Sequence, residues 1–144
     1  MTQSDAFWDS SALVPLCAGQ KTTPHLITLS LQYEIVVWWA TQVEIAGALA
    51  RLARMKLLDA VQLSIAIGLA ARLAGSWLAI APSDGLLARA VQIVGRHDLR
   101  AGDALQLAAA IEWCGDRPQG RVFLTVDRRL REAALLIGFD APVI

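Results

Sequence analysis

The stretch IVVWWATQVE at residues 35–44 decides the fold class, because it passes from a strand pattern directly into a helix pattern. Residues 35–39 form an unbroken apolar run of β-branched and aromatic side chains, which is typical of a strand buried on both faces. Residues 41–44 then begin an amphipathic segment that we expect to remain helical to about Arg54. A buried strand followed at once by a helix is the repeating unit of a parallel α/β sheet.

The same alternation continues on both sides of that stretch. Strands are predicted at 6–8, 35–39, 77–80 and 122–126, with a candidate edge strand at 142–144. Helices are predicted at 12–17, 23–32, 41–54, 59–74, 85–95, 103–115 and 128–136. This order predicts an α/β protein in which helices cover both faces of a mostly parallel sheet. A chain of 144 residues without a linker or repeat is most simply one domain over 1–144.

Composition limits the functions that the chain can have. The formal net charge is zero, so a polyanion must bind through local patches or through a metal rather than through a global field. The two cysteines, Cys17 and Cys114, are not spaced as a metal or redox pair, and we expect buried free thiols in a reducing cytoplasm. The first nine residues resemble no secretory signal. Arg72 interrupts the most apolar stretch, 60–83, so no membrane span is predicted.

Four acidic residues stand where a predicted strand ends or a helix begins, namely Asp9, Glu44, Asp103 and Asp127. The carboxyl ends of parallel strands share one edge of the sheet, so these side chains are expected to converge there. Four carboxylates about 5 Å apart would repel one another by roughly 20 kcal/mol in total at an effective dielectric near 20. That exceeds the 5–15 kcal/mol that is typical of a domain's stability. We therefore expect the cluster to take up protons or to bind a hard divalent cation.

Each acid also has a purely structural interpretation. Asp9 and Asp127 could cap the helices that follow them, and Asp103 could complement a helix dipole. Thr41 with Glu44 has the spacing of a capping box. Convergence on one sheet edge nevertheless favours a shared site, in which the hydroxyls of Ser11, Thr41 and Thr125 would orient the carboxylates or a water on the ion.

At these positions the chain resembles the PIN-domain family, and in particular the VapC toxins. The segment FWDSSALV at 7–14 looks like the family's opening motif, and Glu44 like its second acid. RAGDALQLA at 100–108 is similar to the third motif, and FLTVDRRL at 123–130 to the fourth, followed by Gly138-Phe139. The resemblance covers nearly the whole chain, and the four motifs occur in the family's order.

This resemblance implies a three-layer α/β/α sandwich that acts as a metal-dependent endoribonuclease, the toxin of a toxin–antitoxin pair. Asp9, Glu44, Asp103 and Asp127 become the catalytic acids that bind Mg²⁺ or Mn²⁺. Whether one ion or two are bound stays open, as does the RNA target. The family also implies an antitoxin whose C-terminal arm covers the site, commonly with a basic side chain near the carboxylates.

Other features complete the sequence hypothesis. Arg128 and Arg129 are candidates for RNA phosphate contacts, or else they form a solvated helix face. The high apolar content favours a homodimer. Trp38, Trp39 and Trp77 lie in predicted strands and are expected in the core. A non-catalytic RNA- or protein-binding module is the alternative function, and a phosphorylated receiver domain is disfavoured because no lysine follows Lys56.

Overall fold

The computed structural model of the chain describes residues 3–144, so Met1 and Thr2 lie outside the described part. Over that range the chain forms four strands and seven helices. The strands are β1 (Ser4–Trp8), β2 (Tyr33–Trp38), β3 (Leu78–Ile80) and β4 (Val122–Leu124). The helices are α1 (Ser10–Cys17), α2 (Thr23–Gln32), α3 (Thr41–Arg54), α4 (Ala60–Ala74), α5 (Asp84–Arg96), α6 (Ala101–Trp113) and α7 (Arg128–Ile137).

The four strands form one parallel sheet in the order β3-β2-β1-β4. Phe7 lies opposite Val36 in β2 and opposite Phe123 in β4, which aligns the carboxyl ends of these strands. The chain leaves β1 at Asp9 and β4 at Thr125, and the two neighbouring ends are joined by a hydrogen bond from the Asp9 N–H to the Leu124 carbonyl at 2.9 Å. The fold therefore brings the segments after each strand to one edge.

Alternate residues of each strand point into two separate cores, as expected for a buried parallel sheet. Phe7 and Phe123 pack with α5, α6 and α7 on one face, where their rings stack with centroids 5.5 Å apart. Trp8 and Leu124 pack with α1, α2 and α3 on the other face. The result is a three-layer α/β/α sandwich, as predicted.

The structure differs from the sequence prediction at a few boundaries. The strand expected at 122–126 ends at Leu124, and the next residue, Thr125, donates its hydroxyl to Asp9. No strand forms at 142–144 among the described residues, and Asp140 makes a single parallel bridge to Val122 instead. Both cysteines are buried and free, which confirms that expectation.

One structural alternative and one side-chain prediction are wrong. Thr41 and Glu44 form no capping box, because the residue that caps α3 is Ala40 and it makes no side-chain cap bond. Trp38 is buried as expected, but Trp39 is 62% exposed. Its position explains the difference: β2 ends at Trp38, and Trp39 already belongs to the turn that leads into α3.

No helix within residues 3–144 combines the length and the apolar character that crossing a membrane requires.

Candidate active site

An open cleft of about 940 Å³ lies at the carboxyl edge of the sheet. Its walls come from the starts of α1, α3, α6 and α7, together with the loop before α6. Three of the predicted acids line it directly, namely Glu44, Asp103 and Asp127. The fourth, Asp9, is buried behind Ser10 and Ser11, which also line the cleft. The fold thus brings all four predicted acids to the same edge of the sheet, at the starts of four different helices.

Asp9 is the most deeply placed of the four, with 3% of its surface exposed. Its Oδ2 accepts hydrogen bonds from the hydroxyls of Ser11 at 2.5 Å and Thr125 at 2.9 Å. Burial raises the pKa of the Asp9 carboxyl to about 6; these two hydrogen bonds oppose the rise, and the charges of Glu44 and Asp103 add to it. Oδ1 has only a long contact, 3.5 Å from Ser10 Oγ, among the described residues. Asp9 also caps α1 by accepting from the Ser11 N–H.

Glu44 is held by two donors that the sequence prediction did not include. Its Oε2 accepts from Ser10 Oγ at 2.7 Å and from Gln106 Nε2 at 3.0 Å. Gln106 is fully buried in α6, and the same amide also donates to Thr41 Oγ1 at 3.1 Å. Glu44 therefore faces the cleft rather than its own helix terminus, and Thr41 contacts it only through Gln106.

Asp103 and Asp127 line the same cleft. Burial raises the pKa of Asp103, and the negative charges of Asp127 and Glu44 raise it further, while Arg100 lowers it through its backbone N–H and its charge. Asp127 accepts from the Leu130 N–H at 3.0 Å and so caps α7. Asp9 and Asp127 are therefore both helix caps at the carboxyl edge, and of these two Asp127 lines the cleft while Asp9 is buried next to it.

Three arginines line the cleft beside the acids, namely Arg51, Arg100 and Arg129. Arg129 was one of the two predicted phosphate contacts, and its guanidinium lies 3.4 Å from the carboxylate of Asp98. Arg128, the other, does not line the cleft and pairs with Glu132 one helical turn later, at 3.2 Å. The positive charge that could meet a phosphate is thus distributed over α3, the residue before α6 and α7, rather than over α7 alone.

The donor set suits a hard cation, because it consists of carboxylate and hydroxyl oxygens without nitrogen or sulfur. Among residues 3–144, no group of three Asp, Glu, His or Cys side chains is spaced to hold one ion by itself. Mg²⁺ commonly binds proteins through one or two carboxylates and keeps several waters, so the arrangement fits that mode better than a closed protein cage.

Sequence reasoning missed Ser10, Gln106, Arg51 and Arg100. Gln106 had a detectable signal, since it is a polar residue in an otherwise apolar helical stripe and follows Asp103 at a spacing of three, on the same face. Ser10 lies next to Asp9 in the opening motif. Arg100 opens the motif at 100–108, whereas Arg51 carried no signal of its own, because a surface arginine on a helix is common.

Comparison with known proteins supports the fold alone. No family model matches the chain, and no match is found among curated proteins. Eleven chains of solved structures are similar to it. One is PAE2754 from Pyrobaculum aerophilum, with a TM-score of 0.63 and 21% identity over 96% of this chain and 89% of that one. The likeness over nearly the full length of both chains agrees with the α/β/α sandwich described above.

Proposed function

We propose that the chain is a metal-dependent endoribonuclease that hydrolyses phosphodiester bonds and acts as the toxin of a toxin–antitoxin pair. The observation that carries this proposal is the placement of Asp9, Glu44, Asp103 and Asp127 around one open cleft, each supplied by a separate element. The PIN-domain resemblance of the surrounding motifs supplies the reaction and the biological role.

Mg²⁺ or Mn²⁺ would be held by some of these four carboxylates, with waters and substrate phosphate completing its shell. When bound, such an ion makes water a better nucleophile near neutral pH and stabilises the charge that develops at phosphorus. Oδ1 of Asp9 is well suited to this task, because the Ser11 and Thr125 hydroxyls already occupy Oδ2. The raised pKa of Asp9 is the cost of that burial, and a cation nearby would lower it again.

The remaining residues position the acids and the substrate. Ser10 and Gln106 hold Glu44 in the orientation that faces the cleft. The first turns of α1, α6 and α7 line the cleft, and the partial positive charge at these helix N-termini favours an anionic phosphate there. Arg51, Arg100 and Arg129 surround the opening and suit bidentate contacts to phosphate oxygens.

The direct test is cleavage of a total RNA pool by purified protein, with Mg²⁺, with Mn²⁺ and with EDTA. Asp103→Asn is expected to lower cleavage at least a hundredfold, because it removes a charged ligand from the cleft. Glu132→Gln is the matched control, since this acid belongs to an exposed ion pair with Arg128 and does not line the cleft.

Metal-dependent cutting that is lost in Asp103→Asn and kept in Glu132→Gln supports the nuclease. If antitoxin-free protein binds the metal but cuts no RNA, the nuclease proposal is wrong, and the non-catalytic binding module becomes the proposed function.

The proposal includes two protein partners and a cytoplasmic location. The antitoxin is expected to place an arm over the cleft, where a basic side chain would meet the acids. A homodimer is expected because large apolar side chains remain exposed, for example Leu87, Val91 and Val94 along one side of α5. The free, buried cysteines are compatible with a reducing compartment.

A further inference from the structure

Helix α3 carries a row of cleft residues that runs away from the acids. Glu44, Gly47, Ala48 and Arg51 all line the cleft. Because they follow one another at helical spacings of three to four residues, they share one face of the helix. The row from Glu44 to Arg51 extends about 10 Å along the helix axis. The cleft therefore continues well beyond the residues proposed to hold the metal.

Gly47 has no structural reason to be glycine. It lies in the interior of α3, where its backbone is helical and its φ is not positive. A Cβ added at this position would meet nothing within 4 Å. Glycine destabilises a helix interior relative to alanine, because it loses more backbone freedom on folding. The fold by itself would thus favour alanine, whereas the exposed backbone of Gly47 forms part of the cleft wall.

Position distinguishes Gly47 from another exposed glycine in a helix. Gly68 of α4 likewise leaves an added Cβ without a neighbour within 4 Å, but it does not line the cleft. An exposed helical glycine is therefore no functional signal by itself. Gly47 differs because it lies between an acid and an arginine on the same wall, where the missing side chain lets the backbone of a ligand approach the helix.

Arg51, at the far end of the row, is the cleft arginine whose charge no carboxylate engages. Arg129 pairs with Asp98, and the charge of Arg100 acts on Asp103. Arg51 forms no ion pair in the described part of the chain, and its side chain is exposed. A guanidinium binds phosphate oxygens bidentately, and its charge repels a basic peptide arm. Arg51 therefore suits an anionic chain.

We propose that Gly47 and Arg51 form a track for the sugar–phosphate chain of the substrate. The chain leaves the acids, passes against the bare backbone of Gly47 and places a neighbouring phosphate on Arg51. The site thus recognises a polynucleotide by two phosphates, one at the acids and one at Arg51. This inference rests on the proposed nuclease function and deepens it, since it names the residues that select a polynucleotide over a small phosphodiester, which lacks the second phosphate.

The first measurement compares stability with RNA binding at Gly47. Gly47→Ala and Gly47→Leu should raise the Tm by roughly 2–6 °C, because both residues favour a helix more than glycine does. Binding of a short RNA oligonucleotide is measured with Mg²⁺ in the Asp103→Asn background, so that cleavage does not interfere. Gly47→Leu should weaken this binding roughly five- to a hundredfold, the range expected when a larger side chain crowds a packed contact. Gly68→Leu is the matched control, which should raise the Tm and leave RNA binding unchanged.

The second measurement tests the phosphate contact at Arg51. Arg51→Gln should weaken binding of the same oligonucleotide by about tenfold, as expected for the loss of a charged hydrogen bond. It should also lower the slope of log Kd against log salt concentration by about 0.7, the contribution of one phosphate in a single-stranded probe. Arg54→Gln is the matched control, because Arg54 is an exposed arginine of the same helix that does not line the cleft.

Cleavage of two substrates separates the track from the reacting centre. In protein that retains Asp103, Gly47→Leu and Arg51→Gln should raise the KM for RNA and leave kcat within about threefold, because the track acts on binding rather than on the reacting atoms. Both variants should cleave methyl p-nitrophenyl phosphate within about twofold of the wild-type rate, since this small diester reaches the acids without extending to Arg51.

The outcomes separate the two proposals. If the wild type cleaves RNA and both variants bind and cleave RNA as it does, the track is wrong and the nuclease stands. If the variants lose cleavage of RNA and of the small diester alike, they disturb the acids, and the inference is overturned. If RNA binding depends on Gly47 and Arg51 but the wild type cleaves neither substrate, the nuclease is wrong and the track stands as an RNA-binding surface. If the wild type binds no RNA, both proposals fail.

Discussion

Asp9 carries the largest electrostatic penalty in the cleft. It is buried, it has two acidic neighbours, and the hydroxyls of Ser11 and Thr125 only partly compensate the loss of water. A carboxylate in this position destabilises the metal-free fold whenever it is ionised. Asp9 therefore lowers the stability of the fold, as is expected of a residue that binds a ligand rather than stabilising the structure.

Replacing Asp9 by Asn should change how stability depends on pH. The pKa of Asp9 rises on folding from an ordinary value of 3.8 to about 6, so the folded state holds its proton more tightly than the unfolded state. In EDTA, its contribution to wild-type stability should fall as pH rises through that window, by up to about 3 kcal/mol. Asp9→Asn lacks this loss. Urea unfolding of both proteins at pH 4.5 and 7.5 measures how the free energy of unfolding changes with pH. An equal change in the two proteins would contradict the raised pKa of Asp9.

Replacing Gln106 by Met should separate positioning from folding. The amide donates to Glu44 and Thr41, yet its Oε1 has no partner among the described residues, so the buried Gln is already imperfectly satisfied. Gln106→Met is expected to lower cleavage ten- to a hundredfold, as for other groups that orient metal ligands. Its unfolding free energy should stay within about 1.5 kcal/mol of the wild type. Unchanged cleavage would show that Ser10 alone suffices to orient Glu44.

At the scale of the elements, four helix starts build the cleft. Asp9 caps α1 and Asp127 caps α7, while Glu44 and Asp103 lie in the first turns of α3 and α6. The same residues therefore serve helix initiation and the site. The helix α4 provides the contrast, since it begins away from the cleft with a complete capping box between Asp59 and Gln62.

Asp59 should contribute to the stability of the fold and not to RNA cleavage. Its carboxylate accepts from the Gln62 N–H at 2.8 Å, and Asp59→Ala should lower the free energy of unfolding by about 1 kcal/mol. Asp59→Asn keeps a capping oxygen and should lose much less. RNA cleavage should be unchanged in both variants. A loss of activity in Asp59→Ala at a temperature where it remains folded would argue that α4 contributes to the site.

At the scale of the whole molecule, the two cores leave apolar surface uncovered. Leu87, Val91 and Val94 of α5 form a stripe at a spacing of three to four residues, and Leu105 of α6 lies beside it. Such a continuous stripe is typical of an interface rather than of scattered surface residues. The exposed apolar residues of α4 form a shorter row, since Val61 and Ile65 are four residues apart and Ile67 lies on another side of the helix.

The expected dimer should therefore depend on α5. Val91→Glu places a charge in the stripe and should shift the protein toward the monomer, as measured by sedimentation velocity over a range of concentrations. Val61→Glu is the matched control, since the two valines are similarly exposed, at 67% and 68%. A dimer that survives Val91→Glu and dissociates in Val61→Glu would show that the interface lies on α4.

The sequence was sufficient to predict the order of elements and most of their boundaries. Helix α3 at Thr41–Arg54 and α2 at Thr23–Gln32 begin and end where the patterns indicated, because apolar periodicity and caps are local properties of the chain. The four acids were also identifiable, since each follows a strand or opens a helix.

Tertiary structure alone decided what surrounds those acids. Ser10 and Glu44 are 34 residues apart, Gln106 and Glu44 are 62 apart, and Thr125 and Asp9 are 116 apart, yet each pair is hydrogen-bonded. The same holds for Trp39, whose local pattern is that of a buried strand although the strand ends one residue earlier. Local patterns determine which segments form strands and helices, whereas burial and hydrogen-bond partners depend on segments that only the folded sheet brings together.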